Sequence, residues 1–189
     1  YLHLSLRRQR QMCIRDRHDR LFKKLQEKNL PQPELPKECK YYFREVAVGW
    51  KVLKIDFNLK RDWSELKVVL NGLDNEKKDI LRKQVELNLI DRVMYDKMIK
   101  WILTNRYPII KLNLLKFVDY ICIVGNNTAW IIEGKEKLNY EAIGQVGVYS
   151  CLFSKDYPQF TVKKAILCEE SDPLLESCCK EFGIAVFVL

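Results

Sequence analysis

The sequence predicts an α/β layered domain, and three observations carry that reading. Short β-branched and aromatic runs such as "FVDYICIV" (117–124) alternate with stretches of helical periodicity. Turn and cap residues punctuate the joins. From residue 74 onward the elements run helix, strand, strand, helix, strand, helix, strand. A chain of 189 residues, about half of them apolar, suits one domain of ordinary size with an extension.

The elements follow in order. Within residues 18–38, "RLFKKLQEK" reads as a short leading helix and "PQPELPKE" (31–38), with three prolines, as an extended connector. Residues 39–73 form an N-terminal extension, with strand-like composition in "YYFREVAVGWKVLKIDFNL" (41–59) and a short helix in "WSELKVVLNGL" stopped by Asn71-Gly72. The core domain is expected over 74–189. It opens with one long helical pattern to about Tyr107, or two helices broken near Asn88. Ile80, Leu87, Ile90, Met94, Met98 and Trp101 form its apolar stripe, which reads as core packing. Asp74 is the expected N-cap, and Pro108 ends the run.

Next, "FVDYICIV" and "AWIIEGK" (129–135) flank "GNNT", a hairpin turn whose Asn residues tolerate positive φ. "NYEAIGQVGVYSCLF" (139–153) is a helix capped by Asn139, and "VKKAILCEE" (162–170) is a strand. "DPLLESCCKEFG" (172–183) carries a capping Asp172, Pro173 at the first helical position and Gly183 as terminator. "IAVFVL" closes the chain as a buried strand.

The formal charge of +8 suggests a polyanion partner, but half of it comes from the first 17 residues. There five arginines (Arg7, Arg8, Arg10, Arg15, Arg17) face one Asp16. "RQRQMCIRDR" resembles translated sequencing-adapter read-through in assembled metagenomic sequence, and position 1 is not Met. Residues 1–17 are therefore expected to be an assembly artefact. No run reaches the ~18–20 apolar residues of a membrane span and none reads as a signal peptide, so the expected location is cytoplasmic. Of seven cysteines none forms a Cys-x-x-Cys pair. Reduced core thiols are expected, in preference to an iron–sulfur site on Cys39, Cys168, Cys178 and Cys179.

Glu-x-Lys occurs four times, at Glu38, Glu65, Glu76 and Glu133. The first lies in the connector and the next two in expected helices, where charges form solvated faces. Only Glu133-Gly134-Lys135 ends an apolar strand that a hairpin pairs with another strand bearing a lone carboxylate, Asp119. Side chains alternate along a strand, so Glu133 and Lys135 share a face, as do Asp119, Ile121 and Ile123. In register, two carboxylates and an ammonium converge. Close carboxylates repel unless a cation lies between them. A hard divalent ion held by carboxylate, carbonyl, water and phosphate oxygens suits that geometry, and a neighbouring lysine can orient a water for in-line attack on a phosphodiester.

Asp119, Glu133-Gly134-Lys135 and a following helix with Gln145 and Tyr149 four apart resemble the PD-(D/E)XK nuclease superfamily. "QVGVY" is similar to the Gln-x-x-x-Tyr motif of its RecB-like branch. The resemblance covers about residues 74–189. It implies a restriction-endonuclease-like mixed sheet flanked by helices, with Asp119, Glu133 and the Gly134 carbonyl holding Mg²⁺ or Mn²⁺. It further implies that Lys135 positions the water and that Gln145 and Tyr149 orient the lysine or touch substrate. Glu86 in "QVELNLIDR" is the candidate helix carboxylate, and Gly134 stands where the family usually carries a bulky apolar residue. The implied activity is DNA hydrolysis leaving 5′-phosphates, in repair, restriction or mobile-element biology. DNA, single- or double-stranded, is the implied partner, with room for a homodimer or a larger nucleoprotein assembly. The alternatives are a non-catalytic nucleic-acid-binding or assembly module on the same fold, and an unrelated α/β interaction domain. Tyr149 could instead pack with Ala142, Val146 and Phe153.

Overall fold

The computed structural model describes residues 20, 21, 23, 41–62, 75–98, 103–125 and 127–189. The expectations for residues 1–17, the connector, Cys39, residues 63–73, Asp74 and Trp101 lie outside them.

A mixed five-stranded sheet forms the centre, in the order β1 (Tyr41–Val48), β2 (Lys116–Val124), β3 (Thr128–Lys137), β4 (Thr161–Glu170), β5 (Ile184–Val188). The first three strands are antiparallel neighbours, while β4 joins β3 and β5 joins β4 in parallel. The parallel pairs occur where a helix makes the return connection, α3 (Tyr140–Asp156) before β4 and α4 (Pro173–Glu181) before β5. Helices α1 (Asn75–Leu87) and α2 (Arg92–Met98) precede β2. The expected α/β fold, a mixed sheet flanked by helices, is what the chain adopts. Among the described residues, no helix is long and apolar enough to cross a membrane.

Cores lie on both faces of the sheet. The larger gathers Phe43, Ile121, Ile131 and Ile166 with Val146 and Phe153 of α3 and Leu175 of α4. The smaller holds Tyr120, Cys122, Trp130, Ile132, Leu167 and Phe187, with Leu21 packed among them. The caps read from sequence are in place. Asn139 Oδ1 accepts from Ala142 N at 2.9 Å, Asp172 Oδ1 accepts from Leu174 N at 2.9 Å, and Gly183 takes positive φ at the end of α4.

Several expectations change. Tyr41–Val48 is the edge strand of the sheet, so the extension and the core domain share one sheet. The strand also ends sooner than residue 59, because Gly49 turns the chain with φ 91°. The helical run from 74 does break at Asn88, which takes φ 57°. Asn88 uses its amide there, accepting from Leu59 N and donating to the Phe57 carbonyl. Ile80 falls on the outer face of α1 and is 38% exposed, while Ile90, Met94 and Met98 are buried. As an edge strand, β5 buries Ile184 and Phe187 and leaves Ala185 and Val186 half-buried. Cys122 is disulfide-bonded, against the expectation of reduced thiols, while Cys151, Cys168, Cys178 and Cys179 are free.

Two long-range ties hold β1 and the α1–α2 joint against α3. The Tyr157 hydroxyl donates to the Asn88 carbonyl at 3.0 Å. Asp156, buried at the end of α3, accepts from the amides of Gly49 and Lys51. A charged acceptor serving two amides is among the stronger hydrogen-bonded arrangements. Removing it leaves both donors without a partner, so Asp156→Ala should cost about 2–3 kcal/mol in a denaturant titration.

Candidate active site

The strands meet the site where one ladder stops. Between β2 and β3 the register runs to Tyr120↔Ile132. Beyond it β2 continues against β1, through Val48↔Lys116, while β3 continues against β4, through Lys137↔Glu170. At the parting, Asp119 Oδ2 accepts from Gly134 N at 2.9 Å. A side chain thus replaces the missing ladder partner. The same register sets Asp119 across from Glu133, with Lys135 next along the face.

A cleft of about 590 Å³ opens there, lined by Asp119, Glu133, Gly134, Lys135, Gln145 and Tyr149 together with Glu45, Arg92 and Phe117. Six of the seven residues singled out from sequence therefore share one cleft. The seventh does not. Glu86 is exposed on α1 and paired with Lys83 at 2.8 Å, one turn away on its own helix.

Glu133 is 3% exposed, with Oε1 3.0 Å from Lys135 Nζ and a buried Oε2 that has no hydrogen-bond partner. Burial, then the charge of Asp119, pushes its pKa up to about 8; a side-chain hydrogen bond with Asp119, which a protonated Glu133 would make, adds to the rise, while Lys135 pulls the other way. The Tyr149 hydroxyl is raised to about 12 by burial and by the charges of Glu133, Asp119 and Glu141, with Gln145 opposing. It is a protonated donor at neutral pH. The Gln145 amide donates to Glu141 Oε1 at 3.2 Å, and its buried carbonyl oxygen has no partner. Tyr149 also rests partly against the core beside Val146 and Phe153, so the two arrangements weighed for it coexist.

Glu45 was missed. It sits on β1 between the pairs Arg44↔Tyr120 and Val46↔Val118, across from Asp119, with φ 47° in mid-strand. A non-glycine residue in that region is strained by about 1–3 kcal/mol. In sequence it is one half of an Arg44-Glu45 pair ahead of the apolar "VAV" run, with nothing local to tie it to Asp119. Among the described residues, no three His, Cys, Asp or Glu side chains converge closely enough to hold one ion. The carboxylates lining the cleft are Glu45, Asp119, Glu133, Glu136 and Glu141, and of these Asp119 and Glu133 stand across from each other in the register of β2 and β3.

Gly134 has a steric reason to be glycine. A Cβ there would lie 3.1 Å from Tyr120 Cε2 and 3.3 Å from Leu21 Cδ1, so those side chains fill the space a bulky apolar residue would take.

No family model matches the chain, and no curated protein does. Among solved structures, it is similar to a repair endonuclease from Pyrococcus abyssi at 16% identity and a TM-score of 0.35. That overlap covers 39% of this chain and 33% of the other. An overlap so small carries no weight on function.

Two outcomes follow from this geometry. Gly134→Val should overpack against Tyr120, costing about 1–3 kcal/mol by chemical denaturation. The folded pKa of Glu133 lies above its unfolded value, so its stabilising contribution is complete at acid pH and is lost as pH rises through about 8. Without divalent metal, the melting temperature should fall from about pH 6 to 9 more steeply in the wild type than in Glu133→Gln. Parallel slopes would mean that Glu133 ionises normally.

Proposed function

We propose that the cleft is the active site of a nuclease that uses Mg²⁺ or Mn²⁺ to hydrolyse DNA phosphodiesters, leaving 5′-phosphates. One observation carries the reading: a buried Glu133 oxygen without a partner, beside a second carboxylate, in an open cleft. Leaving such an oxygen buried and unpaired costs about 1–3 kcal/mol, and perturbed carboxylates of this kind gather at functional sites.

The donor set fits a hard cation. Asp119 and Glu133 offer carboxylate oxygens and the proposed third ligand is the Gly134 carbonyl. Remaining positions are left to water and phosphate, as Mg²⁺ prefers. The bound ion would polarise the phosphoryl oxygens and lower the pKa of a ligated water. Lys135, which lines the cleft beside Glu133, would donate to the attacking water and balance charge developing on phosphorus. Water oxygen joins phosphorus, the bond to the 3′-oxygen breaks, and a proton from the water reaches that oxygen through solvent. The Tyr149 hydroxyl and the Gln145 amide, which line the same cleft, would serve as donors for the strand.

Millimolar Mg²⁺ or Mn²⁺ should raise the melting temperature of the wild type, by the equivalent of about 2.7 kcal/mol at a hundredfold excess over Kd. It should leave Asp119→Ala and Glu133→Ala unmoved. Lys135→Ala should keep DNA affinity while cleavage falls about 100-fold or more. A wild type that cuts no single-stranded, duplex or branched DNA in Mn²⁺ would favour a non-catalytic DNA-binding module.

A further inference from the structure

The described cations lining the cleft are Arg92, Lys135 and Lys137. Two of them have anions: Lys135 pairs with Glu133 at 3.0 Å and Lys137 with Glu170 at 3.8 Å. Arg92 makes no hydrogen bond or ion pair among the described residues, although Glu45 lines the same cleft. The carboxylate before it in sequence is engaged elsewhere. Asp91 caps α2 by accepting from Met94 N at 2.7 Å, and its other oxygen accepts from Gln84 Nε2 at 2.7 Å. A bridge from Asp91 to Val46 fastens this start of α2 to β1.

Phe117 is what holds Arg92. The guanidinium carbon lies 3.5 Å from the centre of the Phe117 ring. Tyr95 braces that ring edge-on, with centroids 5.1 Å apart at 65°, and the Tyr95 hydroxyl donates to the Leu112 carbonyl at 2.8 Å. Stacking occupies the face of a guanidinium and leaves the N–H donors in its plane available. Those donors form a rigid fork matched to phosphate, and a fork already held in place loses little freedom on binding.

We propose that Arg92, stacked on Phe117, is a phosphate subsite that takes a backbone phosphate of the DNA strand flanking the one at Asp119 and Glu133. The inference rests on the nuclease reading for the identity of the strand, but it is measured by binding alone, without cleavage.

The test is fluorescence anisotropy of a labelled oligonucleotide with the full chain, in EDTA and across a salt series. Arg92→Ala should weaken binding about tenfold and reduce the slope of log K against log salt by about one, the signature of one lost phosphate contact. Arg92→Gln, which keeps a planar amide without the charge, should lose as much, with melting temperatures lowered only by the lost stacking on Phe117, about 1–4 °C. Wild-type affinity and slope in both variants would overturn the subsite, as would a wild type that binds no oligonucleotide. A wild type that binds but never cuts in Mn²⁺, with Arg92→Ala still weakened, would sink the nuclease reading and leave the subsite standing.

Discussion

The site depends on one hydrogen bond, from the Gly134 amide to Asp119 Oδ2 at 2.9 Å. Where two strands leave a shared ladder, a buried amide loses its partner and must find another. Here the substitute is a carboxylate from the strand that is leaving, so closing the ladder and delivering Asp119 beside Glu133 are one event. The bond also constrains position 134. Its side-chain direction is already filled by the Tyr120 ring and Leu21, which is why the strand carries glycine between Glu133 and Lys135.

That arrangement concentrates unfavourable terms in one small region. Glu133 is buried next to a like charge, with one oxygen unsatisfied, and Glu45 holds a strained φ across from Asp119. Local strain of this sort persists only where the surroundings over-determine it. The surroundings here do so. The two cores clamp the sheet from both faces, and Asp156 and Tyr157 tie the end of α3 to the turn after β1 and to the α1–α2 joint.

The sequence was most legible where the cause is local. Caps at Asn139 and Asp172 and the hairpin between β2 and β3, where Gly125 and not Asn127 takes the positive φ, follow from residues within a turn of one another. The left-handed break at Asn88 is local in its residue type but fastened by distant Leu59 and Phe57. The shared face of Asp119, Glu133 and Lys135 was also legible, since a hairpin fixes register. Glu45 and Arg92 were not, because they reach the cleft only through the pairing of β1 with β2, and nothing within β1 announces its partner. The supposed boundary at residue 74 hid that pairing. Glu86 failed for a helical reason: its side chain points where Lys83 can reach it, away from the sheet.

On the reading proposed, the charge layout of the cleft explains why ion and strand would each strengthen the binding of the other. Once Glu133 is ionised, a phosphate approaching it and Asp119 meets two carboxylates, with Glu45, Glu136 and Glu141 lining the same cleft. Lys135 and Lys137 cannot offset them all, since each already faces a glutamate. A divalent cation between the carboxylates reverses the local sign, and the strand's own oxygens complete the ion's shell, so each partner improves the other's site. Mutual improvement of that kind is a coupling free energy, and it acts equally in both directions. Arg92 stands outside the exchange. Stacked on Phe117 and without an anion among the described residues, it can hold a phosphate before any metal arrives, which gives the cleft a first contact that does not wait for the second.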